Sequence, residues 1–438
     1  MMNILLLAAA IVETNFAPTT CDSWLKEYYG RLSFDDYALV SRAARTLEAN
    51  SNGKSLENIY STAPYPWKPL RGIMPSPAHF VGVWNWDSAF HAMGVSRWDA
   101  DYAVDQLKLF TDFMQLDNGM YIDCIREGND AVAHLKIEEY ASDHFQKVTD
   151  CSKPPVVGWA AWQCDQRKPF DRKFLIKFYN SLKRNELWWR TNRLDAKSGL
   201  FHYDGNCEEL AKRKVAAGWE SGMDDSPRWD GNAWNYLAVD LNSYLALTYR
   251  ALKYFAGRVG DKAAAEEYAK RGAELEKRIE ELLWDDEAGA YYDRNRTTGK
   301  FSRILTPVSY LPLFIGTASP ERAAKMIAKA KRLSPGWPSV AYDEPKFEPM
   351  GYWRGRTWLN VAYMALKGIR WYGEKELSDL GKKTILSWVA NDPGVIYENY
   401  NPLSGLPAGA VHFGWSSTFI LSFVLDWDTP RNKELPCN

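Results

Sequence analysis

The chain has 438 residues, 46% of them hydrophobic and 25% charged, and its 54 Lys plus Arg against 55 Asp plus Glu leave a net charge of −1. That balance excludes a nucleic-acid-coating role, which needs a basic excess to neutralise phosphates. No apolar run reaches the length of a transmembrane helix. Aromatic residues are abundant, with 20 Trp, 24 Tyr and 18 Phe. Flat rings either fill a core or stack on the C–H-rich faces of pyranose sugars, and composition alone does not separate the two.

In chain order, the first feature is an apolar stretch from Ile4 to Val12. It is shaped like a signal h-region but has no Lys or Arg before it and no small-residue cleavage site after it. Residues 1–20 are therefore expected to be a leader or peripheral segment, with a cytoplasmic location favoured over secretion. The motif Trp84-Asn85-Trp86-Asp87-Ser88-Ala89-Phe90-His91 comes next, then a turn at Asp117-Asn118-Gly119-Met120-Tyr121 and the segment Lys153-Pro154-Pro155 to Trp159-Ala160. Further turns, Asp195 to Phe201 and Asp285 to Tyr291, share Asp, then Gly four residues on, then an aromatic residue two beyond. Asn401 to Gly405 repeats the first half. Asp or Asn opens such turns by side-chain-to-backbone bonding, and Gly supplies the positive φ.

Helical stripes lie between these segments. Leu241, Leu245, Thr248, Leu252 and Phe255 form one, and Tyr268, Leu275, Ile279 and Leu282 another. Residues 323–332 and 358–369 read the same way. The chain is expected to be all-α. The turn spacing is too irregular for a strict solenoid and fits a closed ring of helical hairpins. Twelve helices take about 36 residues each with a connection, so an (α/α)6 barrel filling residues 1–438 as a single domain is the expected architecture.

Cysteines occur at 21, 124, 151, 164, 207 and 437 with no Cys-x-x-Cys pair, and the six histidines show no His-Glu-x-x-His spacing. No metal or cofactor is expected. Chemistry concentrates in loops where carboxylates lie beside Trp and Arg: Trp219 to Asp230, Gly351 to Trp358, Ile396 to Pro402, and Phe413 to Ser417. Cleaving a glycosidic bond needs a protonated acid and a second carboxylate. A carboxyl desolvated by Trp suits the acid, which makes Asp224 or Asp225 candidates, with Glu398 as base. The same residues also fit a plainer account. Asp225 would cap a helix begun by Pro227, Glu220 would pair with a cation, Glu398 would pair with an arginine such as Arg354, and His91 would sit in the core.

These ordered segments resemble glycoside hydrolase family 63 and its relatives, which include processing and oligosaccharide α-glucosidases and mannosylglycerate or glucosylglycerate hydrolases. The trehalases of family 37 are more distant kin. The resemblance runs from about Pro75 to Trp415. It implies an (α/α)6 barrel, an inverting mechanism, Asp224 as general acid and Glu398 as general base. It also implies a sugar pocket formed by Trp84, Trp86, Asp87, Gln115, Trp159, Arg228, Tyr352, Trp353, Arg354 and Trp415. The expected substrate is a neutral α-linked di- or oligosaccharide, most of all an α-glucoside.

The alternatives are a glycosylglycerate, with Arg126 and Arg356 meeting the glycerate carboxylate, or sugar binding without catalysis. Relatives often read Arg-Gly-Pro where this chain has Arg354-Gly355-Arg356, and many carry an amino-terminal β-sandwich for which the roughly 70 residues before the first motif are too few. A toroidal terpene-type enzyme is disfavoured because Asp224-Asp225 is followed by Ser-Pro rather than further acids. Small-molecule carbohydrate is the expected partner, with no nucleic acid and no membrane span. Oligomeric state is not encoded in any of these motifs.

Overall fold

Two kinds of helix alternate along the chain in the computed structural model, which describes residues 20–51, 65–127, 138–140 and 144–437. The apolar amino-terminal stretch lies outside them. After a short α1 (Thr20–Tyr28), the half-exposed helices are α2 (Phe34–Ala49), α4 (Ala100–Leu109), α6 (Arg172–Asn192), α9 (Lys262–Leu282), α11 (Pro320–Lys329) and α13 (Lys375–Asn391). Between them lie the buried helices α3 (Asn85–Val95), α5 (Val157–Arg167), α8 (Val239–Val259), α10 (Leu311–Ile315, after a 3₁₀ turn at Pro307–Tyr310), α12 (Leu359–Trp371) and α14 (Gly414–Leu425). α7 (Leu210–Glu220) precedes α8 as an extra helix.

The buried helices touch in sequence, α3 to α5, α5 to α8, α8 to α10, α10 to α12 and α12 to α14, and α14 returns to α3. The ring closes, and the fold is the expected (α/α)6 barrel. Its apolar cluster runs from Cys21 to Leu435.

Capping separates the two rings. Every outer helix of these six begins with a polar side chain bonded to its first turn: Ser33, Asp99, Asp171, Asp261, Ser319 and Glu374. The inner helices α3, α5, α8, α12 and α14 begin after Trp84, Val156, Ala238, Trp358 and Phe413, none of which supplies a side-chain cap. The segments entering those inner helices therefore gather at one end of the barrel, with positive helix ends directed at them. At the other end α15 (Arg431–Glu434) forms a plug. The Glu434 carbonyl accepts from Trp159 Nε1 at 2.8 Å, and its carboxylate meets the fully buried Lys367 at 2.6 Å.

Strands are short. β1 (Gly82–Trp84), β2 (Cys124–Glu127), β3 (Glu138–Tyr140) and β4 (Phe145–Val148) form an antiparallel sheet in the order β1-β2-β4-β3, with Gly82 opposite Arg126 and Trp84 opposite Cys124. Segments of three or four residues show too little alternation to be read from sequence. The predicted turns close two-residue hairpins or loops, and Gly119, Gly199, Gly289 and Gly405 all take positive φ. Asn295 to Gly299 followed by Phe301 is a further copy that spacing alone did not single out, with Gly299 at φ 73°.

Candidate active site

Glu398 lies on a bulged hairpin. β11 (Tyr397–Tyr400) pairs with β12 (Pro407–Val411), and the register shifts between Tyr397 and Asn399, across Glu398 itself. A bulge re-aims the side chain it contains. Tyr352 Oη donates to Glu398 Oε1 at 2.6 Å, and the Ala410 N–H donates to Oε2 at 2.9 Å. Burial pushes this carboxyl above its ordinary range, while both donors and Arg356 pull it back. With a donor on each oxygen, Glu398 is held as an acceptor. Gly409 makes the close approach possible. A Cβ there would lie 2.3 Å from Glu398 Oε2, at φ 75°. Gly409→Ala is expected to cut kcat at least tenfold at a stability cost of about 1–3 kcal/mol, read from kinetics and thermal melts.

Asp224 follows α7 through a tight loop. Ser221 Oγ accepts from the Met223 N–H at 3.0 Å, and Gly222, at φ 67°, lies so close to Trp86 that a Cβ would fall 2.6 Å from its ring. The Asp224 carboxyl is buried, and its pKa is pushed up to about 6. Burial is the largest cause. Lys153 opposes it, while Asp123, Asp225 and Glu398 reinforce it. Asp87 sits in the first turn of α3, and burial holds it well above the usual carboxylate range against Lys153.

Two adjoining cavities share this end of the barrel. The inner one, about 430 Å³, is lined by Trp84, Trp86, Asp87, Lys153, Asp224, Tyr352, Trp353, Glu398 and Trp415, with Pro75, Phe80, Gly222 and Phe413. Trp353 stacks on the buried Trp358 at 3.8 Å, which fixes its ring, and Trp415 Nε1 has no hydrogen-bond partner among the described residues. The outer cavity, about 980 Å³, is lined by His79, Phe80, Val81, Trp84, Asp123, Cys124, Arg126, Glu127, Val148, Lys153, Trp219 and Asp224. Asp224 is on the shared wall, whereas Glu398 and Asp87 line the inner cavity alone.

Four expected pocket residues lie elsewhere. Arg228 is buried between Asp240, at 2.8 Å, and Asp293, at 3.2 Å, with its guanidinium over Trp229. Trp159 is a core ring against Phe90 and Phe314, tied to the Glu434 carbonyl. Gln115 bonds the Gly119 and Ser181 carbonyls and Ser181 Oγ through its amide. Arg354 points to Glu348 at 2.8 Å and to the Asp225 carbonyl. Trp229 and Trp358 are likewise core rings. Asp225 caps no helix, since turns follow it. Its Oδ1 accepts the Trp353 N–H at 2.7 Å and so joins the acid loop to the Tyr352-Trp353 loop. Glu220 is the expected ion partner, of Arg193 at 2.7 Å, and His91 is fully buried. Lys153 is a pocket residue to which its motif assigns no role. The one cue to it is a cation directly before two prolines.

A closed α/α barrel with several carboxylates lining an aromatic-walled pocket has the parts that a glycoside hydrolase needs. Residues 81–416 match the mannosylglycerate hydrolase MGH1-like glycoside hydrolase domain, and the chain belongs to that family. The mannosylglycerate hydrolase of Thermus thermophilus is 27% identical, the match covering 80% of this chain and 96% of that protein. Mannosylglycerate hydrolase MGH1 of Selaginella moellendorffii is 26% identical over 81% of each. A crystal structure of the GH63 mannosylglycerate hydrolase from T. thermophilus in complex with glucose superposes with a TM-score of 0.68 at 25% identity, covering 89% of this chain and 100% of that one.

Proposed function

We propose that this glycoside hydrolase is an inverting glycosylglycerate hydrolase, cleaving an α-linked mannosyl or glucosyl unit from a small carboxylate-bearing leaving group. The observation that carries the reading is the position of Asp224 between the two cavities. A general acid must reach the oxygen joining sugar to leaving group, so it belongs on the wall common to both subsites. Glu398 lines the sugar side alone, where the base is needed. Asp224 gives its proton to the glycosidic oxygen as the bond to the anomeric carbon breaks. Water attacks that carbon from the opposite face and passes its proton to Glu398. Asp87 accepts sugar hydroxyls, and Trp86, Trp353 and Trp415 wall the ring. Asp87 is also buried and its carboxyl is held well above the usual range, but it does not line the outer cavity, which favours Asp224 as the acid.

Lys153 and Arg126 on the outer wall suit an anionic leaving group. Asp123 and Glu127 share that wall, so the cavity is selective rather than uniformly positive. The neutral α-glucoside expected from the motifs makes no use of these cations, and the family relatives named as mannosylglycerate hydrolases favour the glycerate alternative. Sugar release from α-mannosylglycerate, α-glucosylglycerate, nigerose, kojibiose, maltose and trehalose tests this. Release from a glycerate at least 100-fold faster than from any disaccharide is expected, and the reverse order would sink the reading. Proton NMR of the first product should show the β-anomer, and a first-formed α-anomer would refute inversion.

A further inference from the structure

Phe80, Trp84, Lys153 and Asp224 line both cavities, and Lys153 is the cation among them. Its Nζ donates to the Trp219 carbonyl at 2.6 Å and pairs with Asp123 Oδ1 at 3.2 Å. An ammonium has three N–H donors, so a third remains for the cavity. The group is fixed from below. The preceding Ser152 bonds the Tyr121 carbonyl at 2.7 Å and the buried Glu220 at 3.1 Å, and Pro154-Pro155 stiffen the chain that follows.

The charged surroundings are closely matched. Asp224 is faced by Lys153, Asp123, Asp225 and Glu398, with the Tyr352 hydroxyl near it. Lys153 is faced by Asp123, Asp224 and the thiols of Cys151 and Cys124. Asp87 feels Lys153, Glu398 and Asp123. His79, Arg126 and Glu127 complete the outer wall.

We infer that Lys153 ties leaving-group recognition to the general acid: an anionic leaving group that takes its third N–H relieves Asp224 of the cation and lets Asp224 hold a proton. The inference rests on the glycosylglycerate reading. In the open site the ammonium favours ionised Asp224. A bound carboxylate screens that ammonium and adds negative charge beside Asp224, and one such neighbour raises a carboxyl's proton affinity about tenfold or more. The acid is then armed when an acidic leaving group is in place, which gives specificity through protonation as well as contact. A sugar hydroxyl in the outer cavity can accept the same hydrogen but brings no charge, so it arms nothing.

Titration calorimetry with D-glycerate and with glycerol, near pH 6.5 in two buffers of different ionisation enthalpy, separates the possibilities. The wild-type protein is expected to bind D-glycerate with uptake of a fraction of a proton, and glycerol at least 100-fold more weakly. Asp224→Asn should bind D-glycerate within about threefold of wild type with the uptake gone. Lys153→Met should lose at least tenfold in affinity while Lys153→Arg keeps most of it, and Lys153→Arg alone decides if the Met variant does not fold. Binding without proton uptake, uptake that survives in Asp224→Asn, or a Lys153 variant that loses its charge without losing affinity would each overturn the inference. Release of sugar from a glycosylglycerate without linked protonation overturns this step alone. Failure of the wild type to bind D-glycerate, together with failure to cleave its glycosides, removes both this step and the reading beneath it.

Discussion

Asp224→Asn is expected to lower kcat on a glycosylglycerate by ~10²–10⁴-fold while the sugar still binds, and Glu398→Gln to do the same by a different route. Leaving-group chemistry tells the two apart. A dinitrophenyl glycoside departs without a proton, so the Asp224 variant should recover most of its loss on that substrate and the Glu398 variant should not. The pH profile carries the same assignment. Asp224 must be protonated to act, and with its pKa near 6 in the free protein the wild-type kcat/KM should fall as pH rises through about 6. That limb should vanish in Asp224→Asn.

Stability should move the other way. A carboxyl whose folded pKa lies above its ordinary value contributes stability that is fully present below that ordinary value and lost as pH rises through 6. Removing its charge should therefore stabilise the fold above pH 6 by up to ~3 kcal/mol. A structural carboxylate would show the opposite sign. Turnover within tenfold of wild type in either variant would overturn the assignment.

Both carboxylates lie in motifs that the sequence singles out and both line the inner cavity, and the reason their neighbours could not be placed in the same way is physical. The outer helices show both signals that sequence reading uses, a polar cap and one apolar stripe, as in α9 with Asp261 before it and Tyr268, Leu275 and Ile279 buried. An inner helix such as α14 is buried through Phe423 and opens after Phe413 without a cap, so neither periodicity nor capping marks it. The turn glycines were readable because Asp-to-Gly spacing is local.

Side-chain direction was not readable. Trp84, Trp86, Trp353, Trp415 and Trp219 wall the cavities, whereas Trp159, Trp229 and Trp358 from the same motifs face the core. A Trp in a loop motif has two ways to point, and only the packing of Phe90, Phe314 and Glu434 around Trp159 decides which it takes. Lys153 was missed for the converse reason, since nothing local shows that a lysine before two prolines will be buried against Asp123 and line the same cavities as Asp224.

Arg228→Met is expected to destabilise the fold by ~3–5 kcal/mol and to leave KM of the folded fraction near wild type. The guanidinium is nearly sealed from solvent, and so are its two partners. Asp240 accepts from Nη2 at 2.8 Å and also from the Leu241 N–H, while Asp293 Oδ1 accepts from Nη1 at 3.4 Å and from the Val239 N–H at 2.8 Å. These bonds clamp the start of α8 to the strand pair beside it, just after the loop that holds Asp224. Without the cation, two buried carboxylates face each other with no counter-charge. Asp293 is already pushed up to about 6 with Arg228 present, by burial first. In the variant it rises further, so the penalty relative to wild type should shrink at pH 5, where Asp293 protonates, and widen at pH 8. Thermal melts at the two pH values measure this. Adding Asp240→Asn and Asp293→Asn should restore much of the loss, because removing a whole buried ion cluster costs less than orphaning part of it. A sugar-orienting arginine predicts the reverse pattern, a stable variant with a raised KM, and that result would return Arg228 to the pocket where its motif first suggested it.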